Sequence, residues 1–265
     1  MSKIRQRFER LRSEGKKALI PFITAGYPDI DTTEKLIFIL EKRGADLIEL
    51  GVPFSDPMAD GPTIQMSSER SLKNRTNLKM IFELVKRIRI KTNIPVILMG
   101  YYNPFLIYGL KRLARDAKNA GVDGILTVDL PPEEATEMKD QMDFVGLDMI
   151  FLLAPTSNDE RIKLIAGNAS GFIYYVSLTG VTGVRSVLAK DIREQIDIIK
   201  KNTDLPIGVG FGISKPLHAK VVSKWADAVV VGSAIIKIID NSSNKKQMLE
   251  KVGKFVSSLK SAMNK

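Results

Sequence analysis

The sequence contains no cysteine and a single histidine, His218, among its 265 residues. The absence of cysteine excludes disulfides, thiolate nucleophiles, iron–sulfur clusters and zinc sites with thiolate ligands. The scarcity of histidine argues against a histidine-rich metal centre and against a nucleophile activated through imidazole. We therefore expect any reaction to depend on carboxylates, hydroxyls, lysines and the backbone, without a protein-bound metal.

The sequence also lacks a long uninterrupted apolar run. Residues 1–17 are charged throughout and have no apolar centre of the kind found in secretory signals. The longest uncharged stretches, residues 92–110 and 167–184, are interrupted by Pro, Gly, Asn, Ser and Thr. We expect a cytoplasmic protein that neither spans nor binds a membrane.

Basic residues exceed acidic ones by 40 to 30, and the excess lies at the two ends of the chain. Apolar residues recur at helical spacing in both end segments, among them Ile4, Phe8 and Leu11. We predict an N-terminal amphipathic helix over residues 1–17 and a C-terminal helix over residues 244–265. Each should pack its apolar stripe on the body of the protein and leave its basic residues in solvent, with no role in nucleic-acid binding.

Eight short, nearly continuous apolar runs recur along the chain, with helix-like segments between them. Such runs are typical of strands that are covered on both faces of a parallel sheet. Eight βα units in about 250 residues favour an α/β fold, a single (β/α)8 (TIM) barrel domain over residues 1–265, rather than a doubly wound sheet. The predicted strands are residues 18–24, 46–50, 95–100, 124–128, 148–153, 171–177, 206–210 and 227–231. The predicted helices between them are residues 31–43, 78–91, 111–120, 132–146, 159–169, 191–201 and 215–225.

Three acidic residues lie where such a barrel carries its chemistry, one near a strand end and two in the loop after it. Glu49 lies near the end of the second strand among apolar residues, and no predicted strand offers a Lys or Arg to pair with it. Burial would raise the pKa of Glu49 and suit it to proton transfer near neutral pH. The following loop, residues 51–65, holds Asp56 and Asp60. Because Asp-Pro and Asp-Gly pairs are ordinary turn formers, the residues alone leave open whether either is a second catalytic carboxylate.

Glycine-containing segments follow the sixth, seventh and eighth predicted strands, at residues 178–183, 210–214 and 232–234. Backbone N–H groups and a helix N-terminus at these positions favour a phosphate group. The predicted strands contain no lysine, which argues against a Schiff-base aldolase, and the scarcity of histidine argues against a metal aldolase. The residues therefore favour acid–base chemistry on a phosphorylated substrate. Four side chains are candidates for lining its site or for packing in the core: Phe22, Met99, Tyr174 and Phe211.

Six segments in sequence order resemble the tryptophan synthase alpha subunit family, namely residues 18–29, 49–65, 100–104, 129–134, 180–183 and 210–214. The resemblance implies a (β/α)8 barrel with an extra N-terminal helix. It also implies retro-aldol cleavage of indole-3-glycerol phosphate to indole and glyceraldehyde 3-phosphate, with no cofactor in this subunit. The implied partner is a beta subunit that carries pyridoxal phosphate, in an α2β2 assembly in which indole passes from one site to the other.

The same resemblance implies roles for individual residues. Glu49 matches the family's acid–base glutamate, and Asp60 matches the carboxylate that faces the indole N–H. Phe22 and Tyr174 match the indole pocket, and the adjacent Tyr175 is the alternative to Tyr174. The positions that match the phosphate site are Gly183, Gly212, Gly232 and Ser233, and those that match the contact surface for the beta subunit are Asp56, Asn103 and Pro104.

Two alternative functions stay open at this point. The barrel could be a non-catalytic partner that activates a beta subunit, or a stand-alone lyase that releases indole freely. The presence of both Glu49 and Asp60 favours a catalytic barrel, and the contact loops favour one with a partner. The loop after the sixth strand, residues 178–190, has the length and the glycines of a lid over the substrate.

Overall fold

The computed structural model describes residues 1–176, 185–210 and 212–264, apart from the side chains of residues 185–191. The strands are β1 (Ala18–Thr24), β2 (Ile48–Gly51), β3 (Val96–Gly100), β4 (Gly124–Thr127), β5 (Asp148–Leu153), β6 (Ile173–Val176), β7 (Ile207–Gly210) and β8 (Ala228–Val231). The helices of the first half are α1 (Lys3–Ser13), α2 (Ile30–Lys42), α3 (Pro62–Lys73), α4 (Leu78–Arg89), α5 (Tyr102–Tyr108) and α6 (Leu110–Ala120). Those of the second half are α7 (Thr136–Val145), α8 (Asp159–Asn168), α9 (Arg185–Lys200), α10 (Pro216–Ser223), α11 (Ser233–Asp240) and α12 (Lys245–Met263).

The strands form a closed barrel in the order β1 to β8, and β8 pairs with β1. Every pair of neighbouring strands is parallel. The strands' C-terminal ends therefore meet at one end of the barrel. The predicted (β/α)8 barrel with an extra N-terminal helix is confirmed.

The core has two layers, one inside the barrel and one between the strands and the surrounding helices. Helix α1 closes the N-terminal end of the barrel with Ile4, Phe8 and Leu11, which are buried as predicted. The rings of Phe8 and Phe172 lie 5.7 Å apart inside the barrel. Because α1 fills this end, the opposite end is the one left for chemistry.

Helix α12 lies within the segment predicted as the C-terminal helix, residues 244–265, and its Lys260 side chain attaches it to the start of β1. Lys260 donates hydrogen bonds to the carbonyl of Lys17 at 2.7 Å and to Asp46 Oδ2 at 2.6 Å. Asp46 Oδ2 also accepts from the backbone N–H of Leu19 at 2.8 Å. No helix in the described part of the chain is long and apolar enough to cross a membrane.

Three helical segments differ from the sequence-based prediction. Helix α3 was not predicted because its buried positions are Ser67, Ser68 and Ser71, which give no apolar period. Helix α5 has only seven residues, too few for a helical period to be visible. Helix α9 begins at Arg185 rather than at 191, so the prediction of a loop over 178–190 is wrong for residues 185–190. The rest of that predicted lid, 178–184, lies outside the described residues.

The edge of the barrel near α9 and α10 carries the single tryptophan of the chain, Trp225. Its side chain is half-buried, and the guanidinium of Arg193 lies 4.5 Å from the centre of its ring. The ring therefore makes a cation–π contact on one side while the side chain packs against the outer core layer.

Candidate active site

Strand β2 places Glu49 inside the barrel near its C-terminal end. Side chains alternate along a strand, and Leu47, two residues earlier, belongs to the inner core layer. Glu49 pairs in register with Phe22 of β1 and with Ile97 of β3. Its side chain is 1% exposed, and its Oε1 atom has no hydrogen-bond partner among the described residues.

The surroundings of Glu49 favour the protonated form of its carboxyl group. Burial and, as the smaller cause, the negative charge of Asp60 together raise the pKa of Glu49 to about 8. A carboxyl group with such a pKa holds a proton at neutral pH and can also release it there. Glu49 therefore has the properties required of a general acid that later becomes a base.

Asp60 lies at the end of the loop between β2 and α3, and its side chain is half-buried. The hydroxyl of Tyr101 donates a hydrogen bond to Asp60 Oδ2 at 3.1 Å. Burial raises the pKa of Asp60, and the hydrogen bond from Tyr101 acts in the opposite direction. The site therefore contains two acidic groups that differ in environment, one without a donor on Oε1 and one that accepts a hydrogen bond.

Tyr101 is a site residue that the sequence analysis missed. It follows β3 directly and is 3% exposed, and its ring centre lies 5.3 Å from that of Phe54. Its hydroxyl also accepts a hydrogen bond from the backbone N–H of Ala59 at 3.0 Å. Its position after a strand end, where barrels carry functional groups, was the signal that could have found it.

A pocket at the C-terminal end of the barrel brings together several of the predicted residues. Phe22, Met99 and Asp60 line it together with Tyr101. Phe22 lies directly against Gly51. A Cβ atom at position 51 would come within 2.5 Å of the Phe22 ring, so the ring can occupy this space only because residue 51 is glycine. The other lining residues are Thr24, Gly51, Val52, Phe54, Ile64, Ser68, Gly100 and Val128.

The structure distinguishes between the two adjacent tyrosines of β6. Tyr174 belongs to the core layer inside the barrel, whereas Tyr175 belongs to the layer between strands and helices. Burial and the negative charges of Glu49 and Asp60 raise the pKa of Tyr174 well above its usual value. Tyr174 is therefore the tyrosine that faces the two carboxyl groups.

The described part of the predicted phosphate site lies after two neighbouring strands. Gly212 follows β7, is exposed and has a φ angle of 71°, which favours glycine. Gly232 and Ser233 follow β8 and form the N-terminus of α11, where Ser233 is exposed. The first N–H groups of a helix have no acceptor within the helix, so they are free to bind an anion. Gly183 and Phe211 lie outside the described residues.

The residues predicted to contact a partner lie at the rim of the same end. Asp56 and Asn103 are exposed and Pro104 is half-buried. Large apolar side chains in the same two segments are exposed as well, with Met58 at 86% and Ile107 at 78%. Such apolar exposure around a rim is typical of a protein contact surface. In the described residues, no group of three or more His, Asp or Glu could hold a metal ion.

The parallel barrel with one buried and one half-buried carboxyl group at its C-terminal end is the arrangement of a (β/α)8-barrel enzyme that works by proton transfer. The sequence model of one family, tryptophan synthase alpha chain, matches residues 8–264. The chain belongs to this family.

Relatives and solved structures agree with this assignment over the whole chain. The tryptophan synthase alpha chain of Citrifermentans bemidjiense is 55% identical over 265 residues, which cover 100% of this chain and 99% of the relative. That of Geotalea uraniireducens is 56% identical over 263 residues, or 99% of this chain and 98% of the relative. A crystal structure of tryptophan synthase subunit alpha from Legionella pneumophila has a TM-score of 0.93 at 41% identity and covers 100% of this chain and 99% of its own.

Proposed function

We propose that this chain cleaves indole-3-glycerol phosphate to indole and glyceraldehyde 3-phosphate, with Glu49 and Asp60 as its catalytic residues. The reaction is the carbon–carbon lyase reaction of the family to which the chain belongs. The observation that carries the assignment of residues is the pair of carboxyl groups, in which the charge of Asp60 helps to raise the pKa of Glu49.

The chemistry requires one proton to be given and one to be taken. The protonated Glu49 donates its proton to C3 of the indole ring, which places positive charge on the ring nitrogen. The ionised Asp60 accepts a hydrogen bond from that N–H and stabilises the charge as it develops. The Glu49 carboxylate then removes the proton from the glycerol hydroxyl next to the ring. The oxygen becomes the aldehyde carbonyl, the carbon–carbon bond breaks, and its electrons return to the ring, which leaves as indole.

The remaining site residues bind the two ends of the substrate. Backbone N–H groups near Gly212, Gly232 and Ser233, together with Gly183, hold the phosphate, with the dipole of α11 in support. The indole ring lies in the pocket between apolar and aromatic side chains: Phe22, Met99, Tyr174 and Phe211. This chemistry calls for no cofactor in this chain.

The family implies a tryptophan synthase beta subunit as partner. The proposed contact surface includes Asp56, Asn103 and Pro104, and the exposed Met58 and Ile107 add apolar area to it. Pyridoxal phosphate would belong to that partner, and α2β2 is the proposed assembly. The cytoplasmic location stays a prediction from the sequence.

The proposal is tested by measuring indole formation from indole-3-glycerol phosphate. Glu49→Gln and Asp60→Asn should each lower kcat by at least about 100-fold, because each removes a group that acts in the transition state. Glu69→Gln removes an exposed carboxylate of α3 that is paired with Lys73, and it should retain activity. Near wild-type turnover in Glu49→Gln would show that the assigned mechanism is wrong. Absence of indole formation by the wild type, with and without a beta subunit, would favour a non-catalytic partner.

A further inference from the structure

We propose that Tyr101 is a positioning residue for the reaction, and that its hydroxyl holds the Asp60 carboxylate in the orientation needed to face the indole N–H. The proposal rests on the function proposed above, because it gives Tyr101 a role through Asp60 and none of its own on the substrate. It concerns a residue just after β3 whose hydroxyl makes two hydrogen bonds to the loop between β2 and α3.

The direction of the two hydrogen bonds is fixed by the chemistry of the hydroxyl. A tyrosine hydroxyl has one hydrogen to donate. The backbone N–H of Ala59 can only donate, so at 3.0 Å the oxygen of Tyr101 must accept from it. The hydroxyl hydrogen is then available for Asp60 Oδ2 at 3.1 Å. One oxygen atom thus positions both the carboxylate and the backbone of the residue before it.

Tyr101 is itself held in place by the barrel. Its side chain is buried, it follows the last residue of β3, and its ring packs on Phe54. The loop is far more exposed to solvent, with Ser55, Asp56, Met58 and Ala59 all exposed. A buried donor attached to a strand end therefore forms a hydrogen bond with a carboxylate carried by a loop. Such a bond can hold the orientation of a loop side chain as precisely as that of a side chain on a strand.

The other hydrogen bonds of the loop cannot replace this contact. Among the described residues, the side-chain hydrogen bond to the Asp60 carboxylate comes from Tyr101. Gln65 of α3 donates to the backbone carbonyl of Asp60 at 2.8 Å, and the Asp60 N–H donates to the carbonyl of Pro57 at 3.0 Å. These two bonds involve only backbone atoms of Asp60, so without Tyr101 they would not restrain the rotation of its side chain.

The same hydrogen bond supports the charge that Asp60 needs. A donor at Oδ2 favours the ionised carboxylate and lowers its pKa, against the effect of burial. The ionisable groups that act electrostatically on this cluster are Glu49 from β2, Tyr174 from β6 and Asp129 after β4. All of them are acidic groups, so none of these three replaces the stabilisation that Tyr101 gives.

The test is Tyr101→Phe, which removes the hydroxyl and retains the ring. We expect kcat for indole formation to fall by about 10- to 100-fold, the usual effect of losing a hydrogen bond to a charged group. The acid limb of the pH profile of kcat should move to higher pH, because Asp60 without its donor becomes protonated more readily. The matched control is Tyr102→Phe, in which a neighbouring half-buried tyrosine loses a hydroxyl that has no hydrogen-bond partner among the described residues. It should leave both readouts unchanged.

A double-mutant cycle with Asp60→Asn tests whether Tyr101 acts through Asp60. In the D60N background, Tyr101→Phe should lower kcat by less than about 3-fold, since the carboxylate it serves is gone. An equal loss in both backgrounds, or wild-type kcat in Tyr101→Phe, would overturn the positioning role. If Asp60→Asn itself kept wild-type turnover, the proposed function would fail instead, so the two failures are distinguishable.

A second variant keeps the test valid if Tyr101→Phe folds poorly. Incorporation of a fluorotyrosine at position 101 preserves the ring and makes the hydroxyl more acidic, hence a stronger donor. The acid limb of the kcat profile should then move to lower pH, opposite to the shift in Tyr101→Phe. An acid limb that stays at the wild-type position in the fluorotyrosine protein would contradict the proposal.

Discussion

At the scale of single residues, Glu49 imposes a free-energy cost that depends on pH. The folded protein holds the proton of Glu49 up to about pH 8, whereas the unfolded chain releases it near the ordinary value of 4.5. Between these values the folded state binds more protons than the unfolded state. The free energy of unfolding therefore falls as pH rises through this window, by about 1.4 kcal/mol per pH unit at most for this one group.

We predict that Glu49→Gln becomes more stable relative to the wild type as pH rises from 5 to 8. Glutamine has the same shape and no proton to lose, so it removes the contribution of Glu49 to the pH dependence. The measurement is denaturant unfolding of both proteins at pH 5, 6.5 and 8. A difference in stability that is the same at all three pH values would mean that Glu49 is ionised in the folded protein at pH 5.

Glu49 also shows what can be predicted at this scale from sequence. Its apolar neighbours and the absence of Lys and Arg from the strands are local features, and they were enough to predict a buried carboxyl group. The contact between Tyr101 and Asp60 joins residues 41 positions apart. It depends on how the loop after β2 crosses towards the end of β3, and no local pattern encodes that path.

At the scale of elements, the N-terminus of α11 is the described part of the proposed phosphate site. We predict that glycerol phosphate and inorganic phosphate compete with the substrate, and that Ser233→Asp raises KM and weakens this inhibition by at least about 10-fold. A negative charge at a helix N-terminus would occupy the place of the phosphate and repel it. The measurement is steady-state indole formation at several phosphate concentrations.

The matched control adds the same charge at the other end of the same helix. Asn241 is the exposed residue that ends α11, and Asn241→Asp should leave inhibition by phosphate unchanged. Equal inhibition of the wild type and the Ser233→Asp protein would place the phosphate elsewhere.

The elements differ in how far the sequence could predict them. The strands were found because both of their faces are covered, which makes them continuously apolar. Helix α3 was not predicted because its buried face is polar. That face makes hydrogen bonds instead of apolar contacts. Ser67 lies within 2.6 Å of the Thr24 hydroxyl, and Ser71 donates to the carbonyl of Ala25 at 2.5 Å. The serines satisfy polar groups at the end of β1, so hydrogen bonding replaces apolar contact at this interface.

At the scale of the whole molecule, the loop that carries Asp60 also carries the proposed contact residue Asp56. If the productive conformation of this loop is about 1 to 10% populated in the isolated chain, a partner that binds it preferentially can raise turnover about 10- to 100-fold. No additional catalytic group is needed for this effect. Binding at the rim and chemistry in the barrel would then be coupled through one loop.

We predict weak lyase activity of the isolated chain, strong activity with the beta subunit, and a smaller activation in Asp56→Ala with little change in the basal rate. The measurement is indole formation over a titration with the beta subunit. Glu83→Ala removes an exposed carboxylate of α4 and serves as the control. Equal turnover with and without a tightly bound beta subunit would exclude the coupling and favour a stand-alone lyase.

The single tryptophan at the barrel edge matters for when this protein has to be made. A cell needs tryptophan synthase most when tryptophan is scarce, and ribosomes then pause longest at tryptophan codons. The 265-residue chain presents them with one such codon, for Trp225, which lies half-buried at the periphery of the core beneath Arg193. The fully buried core consists mainly of Ile, Leu, Val, Ala, Phe and Met, so starvation for the pathway's own product should slow the synthesis of this enzyme less than that of tryptophan-rich proteins.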